Sequence, residues 1–442
     1  MGSMTSIDHA STPNASASLA QAPEPADALV AARATAARAA SRELAALRRQ
    51  DKDAALLAIG DALVAQQERV LAANAQDLAR GEANGTSASM LDRLRLSPER
   101  IEGLRSALAE LAALPDPIGE LVRGQTLPNG LRLRQVRVPL GVVGVIYEAR
   151  PNVTVDIAGI ALKSGNAVLL RGGSAAQDTN HVLVEIIRDA LEASGLPRYA
   201  VQTVDDGGRP AAQAMMRAVG LIDLLVPRGG HSLIQEVVRN SRVPVVQTGE
   251  GNVHLYLHAD APLQRSVDIA LNAKVQRPSV CNAAETLLIH ADAAETSRAV
   301  LQALTAAGVR LHADERAAAL VPELSLEPAT EEDWATEYGD LQMAVHVVDS
   351  LPEALEHIRS YSTGHTEAII TDSIASQQEF IRGVDSAAVM INASTRFTDG
   401  GEFGLGAEVG ISTQKMHARG PMGLSELTTT QWIVEGDGHV RS

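Results

Sequence analysis

The sequence is poor in cysteine and in aromatic residues. Cys281 is the only cysteine in 442 residues, and aromatic residues make up 2% of the chain. A single cysteine excludes an intramolecular disulfide and is typical of a protein from a reducing compartment. No run reaches the roughly 18 apolar residues that a membrane span requires. The sequence therefore predicts a cytoplasmic protein that has no membrane partner.

An excess of positive charge is also absent. The formal net charge is −16 at pH 7, which argues against nucleic acid or an anionic membrane as the main partner. If the substrate is itself an anion, the attraction must be local. Lysine and arginine side chains would then have to be concentrated at the binding site.

Hydrophobic patterning divides the chain into segments. Residues 1–25 are rich in Ser, Ala and Pro and are predicted to be disordered, whereas residues 26–121 have helical spacing. Short apolar segments alternate with helices over 140–273 and again over 274–418. This alternation predicts two doubly wound α/β domains with parallel sheets. Residues 122–139, which lie between the helical segment and the first of these domains, are expected to form a β-ribbon.

Cys281 lies at the predicted junction of the two domains, where such folds bind ligands. A thiolate is the strongest side-chain nucleophile near neutral pH and readily forms acyl intermediates. An isolated cysteine is nevertheless more often buried and inert. Lys274 and Arg277 place positive charge nearby, which lowers a thiol pKa and can hold an anionic substrate. Both residues also fit a solvated helix face.

Three further features suit a nucleotide-dependent enzyme. Asn152 stands at a predicted helix start, where its amide either donates to a developing oxyanion or caps the helix. Two Gly-rich turns each follow a strand and precede a helix, which suits a nucleotide diphosphate although neither is G-x-G-x-x-G. Arg171 before the first turn suits an extra ribose phosphate or is a solvated charge. The turns contain Gly172, Gly173 and Ser174, and Gly229, Gly230 and Ser232.

Two segments near the C-terminus hold further candidates. Residues 348–369 contain several His and Glu residues, but the His pair four residues apart that zinc proteases use is missing, so no metal site is predicted. His365 remains a candidate substrate contact. The Gly-rich stretch 398–410, which includes Phe403, predicts a loop whose backbone closely approaches a ligand.

Together these segments resemble the aldehyde dehydrogenase superfamily, and within it the gamma-glutamyl phosphate reductase (glutamate-5-semialdehyde dehydrogenase) family. The resemblance covers nearly all of the chain from about residue 27 onwards. No single motif is specific, but the set in this order is. The segments are Pro139–Asn152, Leu162–Gly173, Gln276–Asn282, Tyr361–Glu367 and Gly404–Thr413.

The resemblance implies that Cys281 is the acylated nucleophile and that Asn152 forms the oxyanion site with the Cys281 backbone N–H. It places Glu337 near the nicotinamide ribose, Arg171 near the adenosine ribose and Ser232 by the pyrophosphate of NADPH/NADP⁺. Residues 26–121 and 140–273 would bind this cofactor, and the second domain would be catalytic. Phe403 and the two Gly-rich turns join the expected cofactor contacts.

The implied reaction is NADPH-dependent reduction of L-glutamyl 5-phosphate to L-glutamate 5-semialdehyde and phosphate through a Cys281 thioester. It is the second step of proline biosynthesis from glutamate. Lys274, Arg277 and His365 are the candidates for binding the substrate's carboxylate and phosphate groups. The resemblance also implies a homo-oligomer, with 122–139 and 419–442 as the oligomerisation arm, and transfer of the substrate from glutamate 5-kinase.

Two alternatives remain open. The first is a hydrolysing NAD(P)-dependent aldehyde dehydrogenase, which needs a glutamate to activate water. Gln247 aligns with that glutamate and cannot act as a general base at neutral pH, although Glu250 lies close by. The second is a nucleotide-binding scaffold protein with an inactive site, which the joint presence of Cys281, Asn152 and Glu337 argues against.

Overall fold

The structure is a computed structural model that describes residues 24–148 and 150–441, except for the side chains of residues 88, 89 and 231. The disordered segment expected at residues 1–25 lies outside the described residues up to residue 23. Its last residue, Pro25, already begins the first helix.

Five helices precede the first strand, as the helical spacing predicted. Pro25 and Pro98 occupy the first turns of two of them, where the missing N–H has no helical partner to lose. The side chain of Ser97 accepts a hydrogen bond from the Arg100 backbone N–H and caps the last helix of the layer. The helices are α1 (Pro25–Leu44), α2 (Arg49–Ala65), α3 (Gln67–Ala83), α4 (Ala88–Leu94) and α5 (Pro98–Ala113).

A small antiparallel sheet stands apart from the two parallel sheets. Strands β1 (Leu121–Thr126) and β2 (Arg132–Pro139) form a hairpin, and the C-terminal strand β16 (Thr428–Glu435) pairs with the other side of β2. We call this three-stranded sheet the arm. All residues of β1 are exposed.

The first parallel sheet forms one domain with the N-terminal helical layer, and α1, α2, α3 and α5 contribute side chains to their common hydrophobic core. Its strand order is β5-β4-β3-β6. The chain leaves β3 toward β4 on one side and later returns to β6 on the other, so a crevice opens at the carboxyl ends of β3 and β6. The elements are β3 (Val142–Tyr147), α6 (Pro151–Lys163), β4 (Ala167–Arg171), α7 (Gln177–Ala193), β5 (Val201–Thr203), α8 (Gly208–Arg217), β6 (Leu224–Arg228) and α9 (His231–Asn240).

The second parallel sheet has seven strands in the order β10-β9-β11-β8-β7-β12-β13 and its own core. Its elements are β7 (Val253–Leu257), α10 (Leu263–Val275), β8 (Ala284–His290), α11 (Ala294–Ala306), β9 (Arg310–Ala313), α12 (Glu315–Leu320), β10 (Glu327–Pro328), β11 (Gln342–Val348), α13 (Leu351–Tyr361), β12 (Thr366–Ile370), α14 (Ile374–Gly383) and β13 (Ala388–Ile391).

Two boundaries differ from those expected. The second domain begins near Val253 rather than at residue 274, because β7 pairs with β8 and β12. After β13 the chain returns to the first domain, where β14 (Gly410–Ser412) pairs with β15 (Gly420–Met422) and the side chain of Leu427 joins the first core. Of the expected C-terminal arm segment 419–442, only the part from Thr428 onwards pairs in the arm.

The fold class is confirmed: two doubly wound α/β domains and a small β arm. Within the described residues, no helix is long and apolar enough to cross a membrane. The second domain adjoins the crevice of the first sheet. The candidate site lies at this junction of the two domains.

Candidate active site

A cavity of about 560 Å³ opens at the junction of the two domains. It lies at the carboxyl ends of β3 and β6, at the crevice of the first sheet. Cys281 faces it from the turn between α10 and β8. Both domains therefore build the wall, with Tyr147, Arg228 and Gly229 from the first and Cys281, Asn282 and Glu337 from the second.

The segment that connects the two domains passes directly beside the nucleophile. A side chain at Gly251 would overlap the carbonyl oxygen of Cys281, so only glycine allows this approach. A side chain at Gly249 would also clash, with the side chain of Thr413, and the Gly249 N–H donates to the Ile411 carbonyl at 2.8 Å. These contacts bring Glu250, between the two glycines, to the cavity wall.

The Cys281 thiol keeps its proton in this structure. Burial and, to a smaller extent, the charges of Glu337 and Glu408 together raise its pKa to about 12, with the charge of Arg228 opposing them. The expectation that Lys274 and Arg277 lower the thiol pKa is therefore wrong for this state. The sequence showed the nearby cations but not the carboxylates that the fold brings to the sulfur.

Lys274 and His365 are not brought to the cavity. Lys274 is fully buried, and its Nζ lies 2.7 Å from Oε2 of Glu285 in an ion pair inside the second domain. His365 is also fully buried, its Nδ1 lies 2.8 Å from Oγ1 of Thr366, and burial lowers its pKa to about 4. Both positions are at odds with the expected substrate contacts, because core packing holds the side chains away from solvent.

Asn152 is the second residue of α6. Its Nδ2 donates to Oδ2 of Asp156 at 3.0 Å, and burial raises the pKa of Asp156 to about 6. Its neighbours Arg150 and Val153 line the cavity, whereas Asn152 itself does not. A side-chain amide has two N–H donors, so one remains for an oxyanion while the other fixes the orientation of the group.

The two Gly-rich turns bind anionic oxygens through their backbone. The N–H of Gly172 donates to Oδ1 of Asp205 at 2.7 Å, and that of Gly230 donates to Oε1 of Glu148 at 3.2 Å. Backbone amides that hold carboxylates at helix starts have the chemistry that a diphosphate needs. The turns therefore fit a nucleotide, and Gly229 and Gly230 line the cavity itself.

The other expected cofactor contacts do not all line the cavity. Glu337 lines the cavity. Arg171 ends β4, and its Nε donates to the Gly208 carbonyl at 3.3 Å. Phe403 is 47% exposed. The expected contacts that do not line the cavity are Arg171, Gly172, Gly173, Ser174, Ser232 and Phe403.

Four arginines were missed by sequence reasoning. Arg93, Arg150, Arg228 and Arg396 line the cavity together with the expected Arg277. Arg150 and Arg228 had a recognisable signal. Arg150 directly precedes helix α6, and Arg228 is the last residue of strand β6. Arg93 and Arg396 come from the helical layer and from the loop after β13 and had none.

The structure places the residue that aligns with the water-activating glutamate away from the cavity. Gln247 does not line the cavity, and its backbone N–H donates to Oε1 of Gln414 at 2.9 Å. Glu250 does line the cavity. The cavity wall therefore contains carboxylates, and the glutamine at position 247 cannot by itself exclude hydrolysis. Among the described residues, no three His, Cys, Asp or Glu side chains are grouped to hold a metal ion.

Comparisons with known proteins agree with this geometry. Residues 4–324 match the model of the aldehyde dehydrogenase family. A protein from Kineococcus radiotolerans named gamma-glutamyl phosphate reductase is 61% identical over 408 residues, which cover 92% of this chain and 94% of that one. A protein of the same name from Thermobifida fusca is 59% identical over 407 residues, with 92% and 97% covered.

A solved structure shows the same fold over most of the chain. The gamma-glutamyl phosphate reductase of Thermotoga maritima has a TM-score of 0.91 and 43% identity, covering 93% of this chain and 100% of that one. The chain belongs to the aldehyde dehydrogenase family, whose members use a nicotinamide cofactor. Within it, the chain belongs with the gamma-glutamyl phosphate reductases, which confirms the resemblance seen in the sequence.

Proposed function

We propose that the protein reduces L-glutamyl 5-phosphate to L-glutamate 5-semialdehyde with NADPH and releases phosphate. This is the second step of proline biosynthesis from glutamate. The observation that carries the proposal is a single thiol, Cys281, in an arginine-lined cavity between two α/β domains. The 61% identity to a protein named for this reaction supports it.

The first chemical step forms a thioester. The sulfur of Cys281 attacks the acyl carbon, and the carbonyl oxygen takes up negative charge. The bond from that carbon to the phosphate oxygen then breaks, and phosphate leaves with the electron pair. Asn152 and the Cys281 backbone N–H stabilise the oxyanion, an effect of roughly 3–4 kcal/mol for each donor.

The thiol proton must leave before or during the attack, because the pKa of Cys281 is raised. Three carboxylates on the cavity wall can accept it: Glu250, Glu337 and Glu408. We assign this role to Glu337, since its charge acts on the thiol more strongly than that of Glu408. Transfer of the proton to Glu337 also removes the negative charge that opposes the thiolate.

The second step returns the thiol. NADPH, when bound, supplies the hydride that reduces the thioester to a thiohemiacetal. Asn152 again stabilises the oxyanion, and the C–S bond breaks with its electron pair going to sulfur. The sulfur recovers its proton and the aldehyde leaves. Arg171 remains our candidate for the extra ribose phosphate that distinguishes NADPH from NADH, supported by its place at the end of β4.

The reverse reaction provides the test. With purified protein we expect NADP⁺ reduction by glutamate 5-semialdehyde to require inorganic phosphate, and Cys281→Ala to abolish it. Equal turnover without phosphate would favour the hydrolysing alternative, with Glu250 as the base to examine next. A folded wild type that shows no turnover under either condition would favour the scaffold hypothesis.

We also propose a homo-oligomer in the cytoplasm. The arm supports the first part, because it exposes the apolar side chains of Leu121, Val122, Trp432 and Val434. The single cysteine supports a reducing compartment. Transfer of the unstable acyl phosphate from glutamate 5-kinase is a further proposal that rests on the reaction itself.

A further inference from the structure

The five arginines of the cavity lack acidic partners. None of Arg93, Arg150, Arg228, Arg277 and Arg396 lies within ion-pair distance of a carboxylate in the part of the chain that the structure describes. Some arginines elsewhere form salt bridges, as Arg38 does with Asp223 at 2.6 Å, whereas others, such as Arg188, bind backbone carbonyl oxygens. In a protein of net charge −16, unpaired arginines around one cavity indicate that an anion binds there.

Acids on the same wall act on these arginines through space and without an ion pair, as Glu148 does on Arg150 and Asp399 does on Arg396. Glu408 accepts from the Gly400 N–H at 2.8 Å, Asp399 accepts from the Gly401 N–H at 2.9 Å, and Glu148 binds the Gly230 amide. These three carboxylates are held on backbone amides instead of on guanidinium groups. Glu250 and Glu337 complete the acidic side chains of the wall.

The arginines also repel one another. Desolvation lowers the pKa of Arg150, the charges of Arg93, Arg228 and Arg277 lower it further, and the charge of Glu148 opposes them in part. Arg396 is held by a different kind of contact, since its Nε donates to Oε1 of Gln276 at 2.8 Å. An arrangement of mutually repelling cations is relieved when an anion enters between them.

Arg228 has a special place among the five. It ends β6 directly before Gly229, and its guanidinium packs against the backbone of Gly410, where a Cβ would lie 2.7 Å from Nη1. Gly410 has a φ of 149°, so another residue there would be strained as well as crowded. The charge of Arg228 is also the strongest cationic influence on the thiol of Cys281.

The chemistry of the substrate tells which anionic group meets which arginine. In an acyl phosphate, one bridging oxygen joins the phosphorus to the carbon that the sulfur attacks, so the phosphate lies beside the sulfur. The α-carboxylate lies at the other end of the substrate, beyond three further carbons. An arginine fork matches phosphate oxygens in a bidentate manner.

We propose that Arg228 binds the phosphate of the substrate, and in the reverse reaction the inorganic phosphate that attacks the thioester. This inference rests on the proposed function. When the C–O bond breaks, the departing phosphate gains negative charge, and Arg228 faces that charge. Arg396 is the comparison, because its Nε already donates to Oε1 of Gln276 and its fork is therefore partly occupied.

A split in kinetic constants tests the assignment in the reverse reaction. Arg228→Gln is expected to raise the KM for inorganic phosphate roughly tenfold or more, because it removes a charged hydrogen-bonding pair. Arg228→Lys keeps the positive charge but lacks the forked guanidinium group. Its KM for inorganic phosphate should therefore lie between those of the wild type and Arg228→Gln. The matched control, Arg396→Gln, should leave the KM for phosphate within about twofold. An unchanged phosphate KM in Arg228→Gln, or an equal rise in both variants, overturns the assignment.

A second readout needs no turnover. Inorganic phosphate bound beside the sulfur should slow alkylation of Cys281 by iodoacetamide in the wild type and in Arg396→Gln, but not in Arg228→Gln. Protection that persists in a folded Arg228→Gln variant contradicts the proposal. If wild-type turnover proves independent of phosphate, the proposed function fails, whereas this protection experiment still decides whether Arg228 binds phosphate.

Discussion

Cys281 shows how a catalytic residue can have an unfavourable resting state. Burial and the charges of Glu337 and Glu408 keep the thiol protonated, and the charge of Arg228 offsets them only in part. Slow alkylation at neutral pH is therefore expected even of a competent enzyme. The alkylation rate at neutral pH therefore does not by itself distinguish an active site from an inactive one.

The pH dependence of alkylation follows from that resting state. Since the pKa of Cys281 is raised to about 12, the thiolate fraction rises about tenfold for each pH unit between pH 7 and 9.5. We therefore expect the iodoacetamide rate to rise by the same factor without a plateau. Glu337→Gln removes a repelling charge, so it should speed alkylation at each pH while slowing turnover.

Glu295, exposed on α11, provides the control for that experiment. Glu295→Gln should leave both the alkylation profile and the turnover unchanged. A plateau near pH 8 in the wild type would contradict the raised thiol pKa. Faster turnover of Glu337→Gln would contradict the role of Glu337 as proton acceptor.

The residues of the site differ in how far the sequence could reveal them. Cys281 and Arg277 could be found from the sequence because they lie close together in the chain. The structure shows that both line the cavity. The expectation that Lys274 contacts the substrate was wrong because its ammonium group forms a buried ion pair with Glu285 on β8. The sequence does not show this partner. Arg396 reaches the cavity only through folding, so no local pattern marks it.

Among the elements, the arm presents two free sheet edges. β1 and β16 flank β2, and the outer edges of β1 and β16 pair with no other strand of the described chain. Trp432 and Val434 share one face of β16, and the guanidinium of Arg123 lies 4.9 Å from the Trp432 ring centroid. Free edges beside exposed apolar side chains are typical of a surface that pairs with another subunit.

A charge on that face should break the assembly. We expect Val434→Lys to lower the mass measured by light scattering to that of a single chain, because a lysine in an apolar interface must be desolvated. Gln431→Lys, on the opposite face of the same strand, is the control and should keep the wild-type mass. An unchanged mass for Val434→Lys, or a wild type that is already a single chain, would contradict assembly through this face.

The presence of parallel sheets could be predicted from alternating apolar segments, but the sequence does not show which strand belongs to which sheet. The unit formed by β7 and α10 has the same local pattern as the units before it. Only its pairing with β8 and β12 assigns it to the second domain. Residues 420–427 look like the start of a C-terminal arm, yet Met422 and Leu427 pack in the first core. Long-range pairing decides both cases, and no local signal encodes it.

At the scale of the whole molecule, the chain crosses between the domains on either side of Cys281. The connection at 249–251 packs Gly251 on the Cys281 carbonyl, and the return through Gly410 makes room for Arg228. The thiol and its strongest cation are thus held by segments that join the domains. Five arginines thus line one cavity in a chain whose net charge is −16.

The central claim is that the Cys281 thioester passes its acyl group to phosphate and not to water. The direct measurement mixes wild type with NADP⁺ and glutamate 5-semialdehyde in phosphate-free buffer, and follows NADPH together with the intact protein mass. We predict a burst of one NADPH per chain, a glutamyl group on Cys281, and steady turnover only after phosphate is added. Continuous NADPH formation without phosphate, on a protein whose Cys281 stays unmodified, would contradict the claim.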